Sequence, residues 1–136
     1  MVIEKLFNDY ISEYSFILKP SKIAGVGVFA AHGIRKGIVL YKDWMTGWPR
    51  NLKIKNIPKE FQKFCVCKNT TECFCPERFD QQLIWLYANH SFQPNFIIRK
   101  TDRAFVTLRD IEPDEELVYN YNDYEEAEEA KDSFYR

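Results

Sequence analysis

Apolar residues at Val2, Ile3, Leu6, Phe7, Tyr10, Ile11 and Tyr14 recur at helical spacing and predict an amphipathic helix over residues 1–14. Ser15 to Lys19 then reads as a short strand stopped by Pro20. Ala24 to Ala30 (AGVGVFA) is an apolar stretch broken by two glycines, which suits a turn leading into a strand. Another turn at Ile34–Gly37 leads to a strand over Ile38–Tyr41. Pro58 suits the first turn of a helix running to about Cys65, and Asp80 suits the cap of one from Gln81 to Tyr87. Three further β-like runs follow at Asn95–Arg99, Ala104–Leu108 and Glu116–Tyr119. Many short strands with few helices predict a compact, mostly β domain.

Composition narrows this picture. The chain of 136 residues is long enough for one domain with a real core. A net charge of -1 with 46% hydrophobic residues excludes a disordered polyelectrolyte and a generally basic nucleic-acid binder. No apolar run reaches the roughly 18 residues of a membrane span. The N-terminus carries acids inside its apolar pattern, unlike a signal peptide. The expected location is therefore intracellular, cytoplasmic or nuclear, and not secreted. Charge is unevenly spread: residues 1–108 hold 16 basic and 9 acidic side chains, residues 109–136 hold 3 and 11. The acidic end, residues 125–136, reads as a separable helix or tail that is either solvated or steers a basic partner.

Three segments carry candidate chemistry: Ala24–Ala30, Asn89–Asn95 (NHSFQPN) and Ile111–Tyr121 (IEPDEELVYNY). Each alone reads as a turn or a strand edge. Tyr119 and Tyr121 share one face of a strand, because side chains alternate. In this order, the Asn-His-Ser-x-x-Pro-Asn run and the Glu-Glu-Leu-x-Tyr-x-Tyr ending resemble the SET-domain protein lysine methyltransferases over about residues 16–124. The spacing is similar to the minimal stand-alone type of some viruses and bacteria.

The resemblance implies a β-clip fold of small sheets with a C-terminal pseudoknot, a catalytic domain over 15–124 and a cysteine-rich insert at about 50–78. It implies S-adenosylmethionine as cofactor, held by Gly25, Val26 and Gly27, by the Asn89 side chain and by the His90 backbone. Tyr121 falls on the catalytic tyrosine and Tyr119 on the Phe/Tyr switch, where tyrosine resembles enzymes of low methylation state. Tyr124 is a candidate lid, Tyr41 and Tyr87 candidates for a further channel tyrosine. Departures are Phe92 in place of a common cysteine, Pro113-Asp114 in place of a glycine turn, and Asn120, Asn122 and Asp123 around the tyrosine.

Residue chemistry agrees with that function. A lysine of pKa about 10.4 is uncharged in about one molecule per thousand near neutrality. An apolar channel and a sulfonium both disfavour the ammonium, so no dedicated base is required and alignment becomes the main task. Aromatic walls attract the incoming cation.

The four cysteines fall in Cys65-Val66-Cys67 and Cys73-Phe74-Cys75. Two C-x-C pairs can wrap one structural zinc, or they form a cluster of thiols open to a disulfide. His32, distant from them in sequence, reads as a surface residue. The expected partner is a lysine-containing, basic and histone-like protein, with no direct nucleic acid or membrane contact and with homodimerisation left open. The rival reading is a non-catalytic interaction module that binds a partner through the cysteine-rich insert.

Overall fold

A computed structural model describes residues 7–126, 128–131 and 133–135. Among the described residues twelve short strands follow in order: β1 Phe7–Asn8, β2 Phe16–Pro20, β3 Val26–Ala30, β4 Gly33–Ile34, β5 Val39–Tyr41 and β6 Arg50–Lys53. The rest are β7 Val66–Cys67, β8 Glu72–Cys75, β9 Asn89–His90, β10 Phe96–Ile98, β11 Phe105–Thr107 and β12 Glu116–Tyr119. All helical segments among the described residues are short 3-10 stretches of three to six residues. The strands assemble into four small sheets with orders β1-β4, β10-β11-β5, β2-β3-β12-β9 and β6-β8-β7. This is the mostly β fold that the short apolar runs predict.

Strand β12 determines the topology. It pairs antiparallel with β3, Glu116 opposite Phe29, and parallel with β9, Val118 opposite Asn89 and Tyr119 opposite His90. A late segment is thereby inserted between two earlier ones. Asn95 fastens it from behind: Oδ1 accepts the Val118 N–H at 2.9 Å, and Nδ2 donates to the Glu116 carbonyl at 2.8 Å. Its own N–H donates to the Val118 carbonyl at 3.1 Å. Asn95 is almost fully buried, so these bonds satisfy groups that water does not reach. The turn into β12 places Asp114 at φ 65°, a left-handed conformation that Asp tolerates better than most residues. That is how Pro113-Asp114 replaces a glycine turn.

The core is largely aromatic. Trp85 packs edge-on against Phe16, Phe96 and Phe105, with centroids 4.7 to 5.7 Å apart, while Phe96 stacks on Tyr119 at 4.8 Å. Val28, Ile34, Ile111 and Leu117 complete it. A satellite cluster of Ile57, Cys67, Cys73 and Cys75 forms the centre of the insert.

Several expectations are corrected. The helix over residues 1–14 is not seen in its described part: Phe7–Asn8 form a strand paired with Gly33–Ile34, and turns follow. Residues 1–6 lie outside the described residues. Phe7 gains sheet hydrogen bonds and Ser15 a buried site, contacts that outweigh a weak local periodicity. His32 is half-buried rather than on the surface. Its Nε2 meets Ser15 Oγ at 2.8 Å, and Nδ1 lies 2.9 Å from the Gly33 carbonyl, tying the N-terminal segment to β4. The expected helices at Pro58–Cys65 and Gln81–Tyr87 shrink to 3-10 turns at Lys59–Phe64 and Ile84–Tyr87.

The described part of the acidic end is packed against the domain. Glu128–Ala130 and Ser133–Tyr135 are 3-10 turns, and the Tyr135 side chain is 5% exposed. Its carbonyl accepts from Asn122 Nδ2 at 2.6 Å, and its hydroxyl donates to Glu126 Oε1 at 2.6 Å. Aromatic burial overrides the repulsion among the acids beside it.

Candidate active site

A cavity of about 620 Å³ opens where β3, the Trp85–Asn89 segment, the insert and the C-terminal segment meet. Its size suits a small organic ligand. Gly25, Val26, Asn89, Tyr119, Tyr121 and Tyr124 all line it, so six of the eight predicted catalytic and cofactor residues share one space. Gly27 and His90 stand behind its wall. Cys65 and Cys67 of the predicted metal set also reach the lining, while Cys73 and Cys75 lie in the insert's core.

The glycines serve different purposes. Gly25 has φ +47°, where a side chain is strained, and the space beside it is open. At Gly27, a Cβ would sit 2.2 Å from Glu116 Oε2 and 3.2 Å from Asn89 Nδ2. The missing side chain thus admits the Glu116 carboxylate. That carboxylate receives the Ser21 hydroxyl at 2.8 Å and Asn89 Nδ2 at 2.9 Å. Asn89 Nδ2 also reaches the carbonyls of Ala24 at 3.1 Å and Val26 at 3.2 Å. With the amide hydrogens turned to protein acceptors, Oδ1 is the group that Asn89 can offer a ligand. Ser21 and Glu116 were missed from sequence. The only signal for Glu116 was an acid beside the turn, one strand position ahead of a buried Leu117.

All three tyrosine hydroxyls are hydrogen-bonded. Tyr121 donates to the Ala88 carbonyl at 2.7 Å, and Tyr119 and Tyr124 hydroxyls meet at 2.5 Å. Burial, helped by the Glu116 charge, pushes the Tyr121 pKa up to about 12. Burial likewise raises those of Tyr119 and Tyr124, so all three remain neutral hydroxyls at physiological pH. Tyr124 lines the cavity and packs edge-on against Trp44 at 4.9 Å. Tyr87 also lines the cavity, with its hydroxyl donating to Gln82 Oε1, whereas Tyr41 is not among the lining residues and its hydroxyl meets Thr46 at 3.0 Å.

His90 supports this wall. Nδ1 accepts the Tyr121 N–H at 3.1 Å, which puts the ring proton on Nε2. Nε2 is buried and has no hydrogen-bond partner among the described residues. Desolvation lowers the His90 pKa, as expected for a ring packed by Phe92, Tyr121, Phe134 and Tyr135. Phe134 and Tyr135 were not anticipated as site residues, because they lie beyond the matching motifs in an acidic stretch.

In the insert, Cys67 and Cys73 form a disulfide, leaving Cys65 and Cys75 as thiols. The two remaining sulfurs lie 3.2 Å apart. Their shared hydrogen bond pushes the Cys65 pKa up and that of Cys75 down. No group of three or more metal-ligating side chains gathers among the described residues, so the arrangement gives the zinc expectation no support. Likewise, no helix among the described residues is long and apolar enough to cross a membrane.

The sequence matches the SET domain family over residues 25–122. A search of curated proteins gives no match. Among solved structures, the chain is similar to the methyltransferase domain of human PR domain-containing protein 2. That pair has a TM-score of 0.55 and 19% identity, over 79% of this chain and 77% of the other. A Plasmodium falciparum protein named as a histone methyltransferase gives a TM-score of 0.48 and 17% identity, over 79% of this chain and 93% of that one. The family match spans the glycine turn, the Asn-His-Ser loop and both tyrosines that meet at the cavity, and the chain belongs to the SET domain family.

Proposed function

We propose that this chain transfers a methyl group from S-adenosylmethionine to the side-chain amine of a lysine in a basic, histone-like protein. The observation that carries this reading is the shared cavity, which the Gly25–Val26 turn and Asn89 line together with Tyr119, Tyr121 and Tyr124. The donor set fits the cofactor. Open space beside Gly25 accepts a bulky ligand, and Asn89 Oδ1 offers an acceptor to an ammonium group. Bound there, S-adenosylmethionine supplies a methyl group activated by a sulfonium.

This chain's own contribution is orientation. Neutral tyrosine hydroxyls can accept from an incoming amine or ammonium without adding a full charge. The rings around them attract the cation, and the apolar surroundings favour its deprotonated form. The Tyr121 hydroxyl, fixed by the Ala88 carbonyl, is the group best placed to align the amine. The Tyr119–Tyr124 hydroxyl pair narrows the same wall, which supports a low methylation state.

Radiolabelled methyl transfer to a panel of basic proteins tests the reading. Wild type should label at least one, and Tyr121→Phe should lose about 100-fold in rate, the scale set by a small misplacement of reacting groups. Wild-type turnover by Tyr121→Phe would refute the assigned role.

A further inference from the structure

The sulfur pairs of the insert are arranged as successive rungs. In the antiparallel pair β7–β8, Cys67 is opposite Cys73 and Val66 is opposite Phe74. Continuing that register places Cys65 opposite Cys75, and alternation puts all four sulfurs on one face. The first rung is closed as a disulfide, and the second holds two thiols with sulfurs 3.2 Å apart. Cys75 is fully buried, whereas Cys65 is half-buried and lines the cavity. A reagent therefore meets Cys65 first, and Cys75 stands next to it to resolve the adduct.

One carboxylate joins this ladder to the site. Glu126 Oε2 accepts the Cys67 N–H at 2.7 Å, and Oε1 accepts the Tyr135 hydroxyl. The Tyr135 ring lies 5.3 Å from that of Tyr121.

We propose that Cys65 and Cys75 are a modification site, closing reversibly into a second disulfide whose state is passed through Glu126 to the cavity. The oxidant is a low-molecular-weight disulfide of the glutathione type. Cys65, the sulfur a reagent reaches, attacks one of its sulfurs as its proton passes to the adjacent Cys75, and expels a glutathione thiolate. The Cys75 thiolate then attacks the Cys65 sulfur of the mixed disulfide and expels the second. Two protein thiols lose two protons and two electrons, and one glutathione disulfide becomes two glutathione thiols. The link to the cavity rests on the methyltransferase reading; the disulfide itself does not.

Alkylation and intact-mass analysis of the full chain test the chemistry. Alkylated in denaturant without reductant, two cysteines should react, falling to none after prior treatment of the folded chain with glutathione disulfide and rising to all four after denaturing reduction. Cys65→Ser should leave one alkylatable thiol that glutathione disulfide does not convert into an internal bridge. Four alkylatable thiols in the unreduced protein, an equivalent of bound zinc, or two thiols unchanged by glutathione disulfide would each overturn the proposal. Calorimetry with S-adenosylhomocysteine on both redox states tests the link. A severalfold difference in Kd supports it, and equal Kd values overturn it. Absence of binding in both states would contradict the cofactor reading while the thiol counts still decide the disulfide.

Discussion

At the scale of residues, the site depends on where hydrogens and charges are held. Gly27 admits the Glu116 carboxylate, which fixes the Asn89 amide. Gly27→Ala should displace that carboxylate and remove the charged one of the three acceptors that hold Asn89 Nδ2. A hydrogen bond to a charged group is worth about 1.5–3 kcal/mol, so cofactor affinity should fall by about 10-fold or more in calorimetry. Unchanged affinity would remove Glu116 from the positioning role. The tyrosine hydroxyls predict a pH dependence. Because Tyr121 titrates only near about 12, it stays protonated while the substrate amine, near about 10.4 when free, loses its proton. Methyl transfer should therefore rise from neutral pH into the alkaline range. A fall in rate between about pH 8 and pH 10 on a folded enzyme would contradict a neutral aligning hydroxyl. The motifs made Asn89, Tyr119 and Tyr121 legible in the sequence. Ser21 and Glu116 were not, because a carboxylate packed against glycine 89 positions away leaves no local pattern.

At the scale of elements, β12 is held by pairing on two sides and by Asn95. Asn95→Ala would orphan the buried Val118 N–H and one bond of the Glu116 carbonyl. At about 1–3 kcal/mol for an unsatisfied group, a loss of roughly 3 kcal/mol in urea unfolding is expected. A loss under about 0.5 kcal/mol, typical of a surface change, would mean the pseudoknot is secured elsewhere. Strands of three to five residues with dense apolar content, such as Val26–Ala30 and Glu116–Tyr119, were readable from alternation and bounding turns. Their partners were not, since β12 joins β3 and β9 through sequence separations that periodicity does not report. The segment after Tyr124 failed differently. Its charge suggested solvation, while Tyr135 and an inward-turned Glu126 anchor it to the site.

At the scale of the whole molecule, the aromatic surplus is mostly one interlocked core whose edge becomes the cavity wall. His90 belongs to that continuum, with its pKa lowered by burial. The unfolded chain, with a His pKa of about 6.5, then binds more protons than the native state in mild acid. The stability due to neutral His90 is present above about pH 6.5 and is lost as pH falls through the lower folded value. The urea midpoint should drop between about pH 7 and pH 5.5, and a constant or rising midpoint would contradict a desolvated ring. Calorimetric titration of the wild-type chain with S-adenosylmethionine asks whether the cavity holds the methyl donor. Saturable one-to-one binding that survives in Tyr121→Phe is expected; no binding by folded wild-type protein at millimolar cofactor would contradict a cofactor-dependent methyl transfer.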